Sequence, residues 1–215
     1  MADDERNTDE LLRLGRDADP AAIEDLFSRH RERLERMIRL RLHPRLQSRL
    51  DAADVMQEVY LEAHRRLPEY LADPRVPYFL WLRSIAGQKL IDIHRRHLGA
   101  KARDPRREVY LNRAPMPEAT SAVLAAQLVG SIATPSEEFV RAEKRLRVQK
   151  TIETMDPGDR EVLILRHFEH LTNAETAQEL GLKSSTASHR YVRALERLKH
   201  LLAAMTNGSA GTWLR

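Results

Sequence analysis

The residues that most resemble a catalytic pair of carboxylates are Asp54 and Glu58. They lie four residues apart with Gln57 between them, so a helix would place all three polar side chains on one face. No Gly-rich phosphate loop accompanies them, and no nucleophile has a base placed beside it. The trio therefore does not predict an enzyme, and taken alone it is most simply a solvated helix face.

His94 and His97 form a second set that could do chemistry, because their spacing, with Asp92 nearby, could suit a metal ion on a helix. Arg95 and Arg96 stand between them, however, and their positive charges oppose the binding of a cation. The chain also contains no cysteine, which excludes disulfides, thiolate zinc sites and a cysteine nucleophile. We expect neither a metal nor another cofactor.

The clearest local pattern predicts two short helices joined by a tight turn. Thr172, with Glu175 three residues later, is a capping-box pattern that marks a helix start. Gly181 ends that helix, because glycine best tolerates the left-handed conformation at a helix C-terminus. The next helix follows at Ser184, and residues 155–168 upstream predict a capped supporting helix. This is the layout of a DNA-binding helix-turn-helix.

The second helix of this pair has an apolar and a basic face. Leu182 is expected to enter the core just before it. Its inward positions are apolar: Ala187, Tyr191, Ala194, Leu195 and Leu198. Its outward positions are polar and basic: Thr186, His189, Arg190, Arg193 and Arg197. Between residues 183 and 199 five basic residues stand against one acid, Glu196, so the helix would carry positive charge to DNA phosphates.

Aromatic and basic residues follow one another in the first half of the chain. Phe79 and Trp81 lie near the start of a predicted helix, and seven Lys or Arg residues, against two Asp, fall between residues 89 and 107. Taken separately, large aromatics are most simply core residues and a basic run is most simply a charged surface. Their order along the chain, ahead of the helix-turn-helix, indicates more.

Two long segments resemble the conserved regions of one protein family. DAADVMQEVYLEAHRRL followed by FLWLRSIAGQKLIDIHRR is similar to the second conserved region of bacterial RNA polymerase sigma factors. MDPGDREVLILRHFEHLTNAETAQELGLKSSTASHRYVRALERL is similar to their fourth region. With only these regions and a short linker, the chain resembles the extracytoplasmic-function (ECF, group IV) type. The resemblance covers about residues 20–100 and 141–202, in the right order.

The resemblance implies a role for each motif of the second region. The polar trio Asp54, Gln57 and Glu58 matches the acidic motif that docks on core RNA polymerase. The promoter-melting helix and its basic continuation at the minus-ten element match a set of aromatic, amide and basic residues: Phe79, Trp81, Gln88, Lys89, Arg95 and Arg96. Gln88 departs from the family, which usually has Asn at this position.

The resemblance also implies that the recognition helix enters the major groove of the minus-thirty-five element. Its DNA-facing positions are Ser185, Thr186, Ser188, His189, Arg190 and Arg193. Either arginine suits a contact with guanine. Ser185 replaces the usual Gly, Ala187 the usual Val, and Ser188 a frequently basic residue. These departures bear on the bases that are read rather than on the docking mode.

The elements that must position these residues are helices. Glycine is scarce, and alternating strand patterns are hard to find. We expect an all-α chain with two small helical domains and a flexible linker. The expected segments are a leader at 1–19, a region 2 domain at 20–100, a linker at 101–140 with a short helix around 122–128, a region 4 domain at 141–205 and a tail at 206–215.

Three helices are predicted for the first domain, and prolines mark their ends. The first opens at Pro20 and stops before Pro44. The second starts after an N-cap, Asp51, and ends near Leu67, because Pro68 opens a proline-rich loop. The third runs from about residue 78 to 97.

The resemblance implies a dissociable specificity subunit in the cytoplasm. Its partners would be core RNA polymerase and promoter DNA, and an anti-sigma factor is left open. We expect no membrane insertion, because the longest charge-free stretch, residues 120–136, falls short of the roughly 20 apolar residues that a spanning helix needs. The alternative is a stand-alone helix-turn-helix regulator, which would leave the polar trio and the basic helix after Trp81 as coincidences.

Overall fold

The structure is a computed structural model that describes residues 8, 10–14, 20–98, 121, 124, 125 and 138–209. The chain divides into two compact units, Met1–Pro117 and Glu118–Arg215. Every regular element in the described part is helical, which confirms the predicted all-α class. Most of the predicted linker lies outside the described residues. Within it, Ser121, Leu124 and Ala125 are helical, and the latter two are buried.

Three long helices build the first unit within residues 20–98. They are α1 (Pro20–Arg41), α2 (Ala52–Ala72) and α3 (Tyr78–Leu98), and each packs against the other two. Apolar residues recur at three- and four-residue steps, so each helix buries one stripe. The core consists of fully or almost fully buried aliphatic side chains: Leu26, Leu34, Met37, Ile38, Val55, Val59, Leu82, Leu90 and Ile93.

The end of α2 differs from the prediction, because the helix continues through Pro68 to Ala72. A proline inside a helix lacks the N–H that would bond one turn back. Here the last turn is held by Tyr70, whose ring stacks on Trp81 with centroids 4.6 Å apart and whose hydroxyl donates to the Val76 carbonyl at 2.9 Å. Tertiary packing therefore outweighs the local effect of the proline, and the loop is shorter than expected.

The second unit contains α4 (Glu138–Glu153), α5 (Pro157–Leu163), α6 (Asn173–Leu180) and α7 (Ser184–Ser209) in the described range. The α7 helix packs against all three others. The core consists mainly of aliphatic side chains from these helices and their connections: Val148, Ile152, Val162, Leu163, Ile164, Leu165, Leu171, Ala177, Ala187 and Ala194. The two helices of the helix-turn-helix thus pack into the core of the second unit.

The supporting helix before the motif changes type along its length. Asp156 provides the cap of the predicted helix α5, accepting hydrogen bonds from the N–H groups of Gly158 at 2.9 Å and Asp159 at 3.2 Å. Beyond Leu163, residues Ile164–Phe168 form a π-helical turn instead of continuing the α-helix. Four consecutive side chains, 162–165, are buried. A regular α-helix with one buried stripe would not bury four in a row.

The predicted capping box and glycine turn are confirmed. The Glu175 N–H donates to Thr172 Oγ1 at 3.1 Å, and the Thr172 N–H donates to Glu175 Oε2 at 2.8 Å. Gly181 follows α6 in the left-handed region with φ 64° and ψ 31°. These local features fix where α6 starts and stops, and thereby where α7 begins.

One prediction about the apolar side of α7 is wrong, because Leu195, expected in the core, is 36% exposed. Three other side chains expected to point inward are half-buried: Leu182 just before the helix, and Tyr191 and Leu198 within it. The centre of the buried stripe lies at Ala187 and Ala194, seven residues apart, so Leu195 is turned about 100° away from it. The helix also continues to Ser209, past the expected end near residue 205.

Gly181→Ala should lower the free energy of unfolding by about 1 kcal/mol, the order of the strain of a left-handed non-glycine residue. A Cβ added at Gly181 would meet no atom within 4 Å, so the cost is conformational and not steric. Gly181→Asn is the control, because asparagine tolerates this conformation better. Urea unfolding of the three chains measures the difference. Equal losses in both variants would contradict the explanation.

Candidate functional site

The polar trio of α2 lies on one face as predicted, but its members have different surroundings. Asp54 takes part in the capping box at the start of α2: its N–H donates to Asp51 Oδ1 at 2.9 Å, and its Oδ2 accepts from the Asp51 N–H at 3.0 Å. Gln57 is exposed. Asp54 thus fixes the first turn of the helix, while Gln57 leaves its amide accessible to a partner.

Glu58 connects the polar trio to the basic end of α3. Its Oε2 lies 3.7 Å from Arg96 Nη2, and the two side chains are 40% and 58% exposed. An ion pair at this exposure contributes at most about 1 kcal/mol to stability. The structure therefore joins one expected polymerase contact to one expected DNA contact, through a pair that is weak enough to be exchanged for other partners.

Glu62 is a polar residue of this face that sequence reasoning missed. It lies one turn beyond Glu58, and its carboxylate binds Arg65 Nη2 at 2.6 Å, Arg66 Nε at 2.5 Å and Lys89 Nζ at 3.6 Å. Hydrogen bonds from the two arginines lower the pKa of Glu62 to about 2. The spacing 54, 58, 62 would have indicated it, but its partner on α3 becomes visible only in the packed unit.

Glu62→Gln should remove a stabilising contribution that depends on pH. The ordinary pKa of 4.5 is lowered in the folded chain, so the ion pairs act fully above that value and are lost as pH falls below it. The difference in free energy of unfolding between parent and variant should be constant near neutrality and shrink in acid. Urea unfolding from neutral pH to about pH 3 measures it; a difference that grows in acid would contradict the sign.

The two aromatic residues expected near the melted DNA differ in burial. Phe79 is only 3% exposed, and the guanidinium carbon of Arg33 lies 3.6 Å from its ring centroid. Trp81 is half-buried and rests on Tyr70. Phe79 thus belongs to the core, whereas the indole of Trp81 keeps some surface that a partner could reach.

The polar residues of α3 expected at the minus-ten element follow one another toward its C-terminus. Gln88 is half-buried, and its amide donates to Asp92 Oδ1 at 3.2 Å. The side chain of Lys89 is 23% exposed. Arg95 and Arg96 are exposed at the end of the helix. The two arginines are therefore the most accessible of this set for phosphates.

Five of the six predicted reading positions on α7 are exposed: Ser185, Thr186, Ser188, His189 and Arg193. The helix is fastened to α6 at its start, where the Asn173 amide donates to the Ser184 carbonyl at 2.8 Å. Val192, missed by sequence reasoning, is 51% exposed beside them. Together these residues form a surface of small polar, apolar and basic side chains along the first half of α7.

Arg190 has different surroundings from the other five positions. It is half-buried, and a Cβ built on Gly158 would lie 3.1 Å from its Nη1, so the guanidinium rests on the start of α5. Arg166, also missed by sequence reasoning, contacts the neighbouring residue of α7: its guanidinium carbon is 5.1 Å from the Tyr191 ring centroid, and its Nη1 donates to the Leu171 carbonyl at 3.0 Å. Both arginines help to set the orientation of α7.

The described residues contain no group of three or more His, Asp or Glu placed to hold a metal ion. His94 Nε2 instead accepts a hydrogen bond from the His43 N–H at 3.3 Å. Within the described ranges, none of the helices has an apolar stretch sufficient to cross a bilayer.

Comparisons with known proteins agree with both halves of this arrangement. The family described as Sigma-70, region 4 matches residues 145–198, which include the helix-turn-helix. The ECF RNA polymerase sigma factor SigD of Mycobacterium tuberculosis is 31% identical over 186 residues, covering 86% of this chain and 79% of SigD. This chain belongs to the ECF RNA polymerase sigma factor family. As a sigma factor, it directs RNA polymerase to promoters.

Two further relatives of the sigma factor cover most of its length. ShbA of Streptomyces griseus is 30% identical over 207 residues, covering 94% of this chain and 98% of ShbA. A solved structure of CnrH in complex with the cytosolic domain of CnrY has a TM-score of 0.54 at 24% identity, over 92% of this chain and 98% of that one. The latter shows a shared fold. Because the similarity spans both units, the alternative of a stand-alone regulator loses its support.

Proposed function

We propose that the sigma factor divides its task between three surfaces. The exposed face of α2 around Gln57 and Glu58 docks on core polymerase. The α3 helix, through Trp81 and its basic end, contacts the melted minus-ten element. The α7 helix enters the major groove of the minus-thirty-five element. The observation that carries the proposal is the exposed polar and basic surface of α7, presented by the left-handed turn at Gly181.

The proposed DNA contacts fall into two physical classes. Exposed arginines such as Arg95 and Arg96 neutralise phosphates and release counterions, which gives affinity that falls with salt. Base edges are read by side chains on α7: Arg193 suits guanine, and Val192 suits the methyl group of thymine. A good bidentate contact contributes about 1–3 kcal/mol of discrimination. Affinity and specificity thus come from different residues.

Docking on polymerase needs no catalytic group from this chain. Family members are specificity subunits and not enzymes, so polymerase supplies the chemistry of RNA synthesis.

Capturing an unstacked base costs a few kcal/mol, which contacts with that base must offset. The half-buried indole of Trp81 is the aromatic surface that suits this step. The proposal places the protein in the cytoplasm, where bacterial RNA polymerase and the chromosome are found.

Run-off transcription from fragmented host genomic DNA tests the proposal. Purified core polymerase is used with and without the full chain. Start sites that appear only with the chain, and share two spaced upstream elements, are the expected result. If no new start sites appear, a pull-down with core polymerase separates the causes. Absence of both start sites and binding would overturn the proposal.

A further inference from the structure

The turn between α1 and α2 carries two arginines that neither the core nor the proposed surfaces use. Arg45 and Arg49 are exposed, and among the described residues neither has an ion-pair partner. Several other arginines of the unit are instead paired with carboxylates: Arg36 with Glu32, Arg39 with Glu35, Arg65 and Arg66 with Glu62, and Arg75 with Asp73. Unpaired arginines are available to an external anion.

Hydrogen bonds to two histidines place this turn at the C-terminal end of α3. The Arg45 N–H donates to His43 Nδ1 at 3.2 Å, and the His43 N–H donates to His94 Nε2 at 3.3 Å. The two imidazole rings meet edge to face with centroids 6.3 Å apart. His94 directly precedes Arg95 and Arg96. The basic turn therefore adjoins the exposed basic end of α3.

The turn is held in place by a buried side chain and by hydrogen bonds. Leu46 is only 3% exposed and anchors it in the core. The Leu46 N–H donates to the His43 carbonyl at 2.8 Å, and the Leu50 N–H donates to the Leu46 carbonyl at 2.9 Å. The Gln47 amide donates to the Leu42 carbonyl at 3.2 Å. An ordered backbone lowers the entropic cost of binding through its arginines.

The nearest acids in sequence do not neutralise the turn through ion pairs. Asp51 and Asp54 instead accept each other's backbone N–H groups at the start of α2. The acidic face of α2 suits a basic surface of core polymerase, and such a surface would repel Arg45 and Arg49. The partner of the turn should therefore be a polyanion, and the adjoining Arg95 indicates which one.

We propose that Arg45 and Arg49 extend the basic end of α3 into one phosphate-binding surface, which contacts the DNA backbone next to the minus-ten element. The inference rests on the proposed function, because it needs α3 to lie against promoter DNA. The contacts position the DNA and carry no sequence information. They therefore change affinity and its salt dependence without changing the start site.

The test uses holoenzyme reconstituted from core polymerase and the full chain, on a promoter found by run-off transcription. Arg45→Gln, Arg49→Gln and the double variant are compared by fluorescence anisotropy over a series of salt concentrations. The slope of log K against log salt is negative, and it should become shallower by about 1 for each arginine removed. The double variant should bind about tenfold more weakly near physiological salt.

Arg75→Gln is the matched control. It removes the same charge from an exposed side chain, but Arg75 lies in the connection between α2 and α3, before the opposite end of α3, and is paired with Asp73. Its salt slope should equal that of the parent. Unchanged slopes in the double variant, or a loss of core polymerase binding instead of DNA binding, would overturn the inference.

A failure of the proposed function can be distinguished from a failure of this inference. If the unmodified chain gives no polymerase-dependent start sites, the proposed function fails and the inference falls with it. If start sites are normal but the double variant keeps the parental salt slope, only the inference is overturned. Unfolding measurements should show little change in the variants, because the side chains of Arg45 and Arg49 are exposed.

Discussion

Glu58→Lys should reduce the affinity for core polymerase more than 100-fold while the chain stays folded. Reversing a charge inside a complementary interface places like charges together, which costs several kcal/mol. The fold should survive, because the pair that Glu58 makes with Arg96 is exposed and 3.7 Å long. Such a pair contributes at most about 1 kcal/mol. Binding of labelled core polymerase, together with urea unfolding, measures both effects.

Glu32→Lys provides the control for this reversal. Glu32 is highly exposed on α1 and makes a similar surface pair with Arg36, so the net charge of the chain changes equally. It lies outside the proposed docking face, and its affinity for polymerase should stay close to that of the parent. Equal losses in both variants would reduce the effect to net charge and remove Glu58 from the interface.

Arg193→Ala should relax the preference for one base of the upstream element. Its side chain is exposed on the outward side of α7. Losing a contact with guanine costs about 1–3 kcal/mol at the matched base and little elsewhere. Selection from a library of promoters randomised at the upstream element measures the preference. A uniform loss across all sequences would make Arg193 a phosphate contact.

Arg190→Ala is the variant to compare with Arg193→Ala. Its guanidinium rests on the start of α5 at Gly158, so we expect its loss to disturb the orientation of α7. Binding should then weaken for all sequences alike, with a lower free energy of unfolding. The two arginines are three residues apart on one helix, yet the structure assigns them different surroundings. A base-specific change in this variant would contradict the positioning role.

The parts of the fold that could be predicted are those fixed by local backbone chemistry. The capping box at Thr172 and the left-handed Gly181 depend only on neighbouring residues, and both are confirmed. The start of α2 after Asp51 is of the same kind. The all-α class followed from the absence of strand patterns. For the caps and the glycine turn, a short stretch of sequence contains all of the atoms that make the interaction.

The parts that could not be predicted depend on contacts between distant residues. Local rules end a helix at Pro68, but the stacking of Tyr70 on Trp81 extends it. The pairing of Glu62 with Lys89 joins two helices. The difference between Arg190 and Arg193 depends on α5. The roles of the polar trio and of the reading positions on α7 remain predictions that the experiments above test.

The stack of Trp81 on Tyr70 also gives this protein an optical reporter. The sequence has two tryptophans, Trp81 and Trp213, and the second lies outside the described residues. Replacing Trp213 by Phe leaves one indole, half-buried beside a phenol ring. A nucleobase that stacks on an indole quenches its emission. Under the proposed contact of Trp81 with the melted strand, strand opening would change this emission and could be followed in real time without attaching a dye to the protein or the promoter.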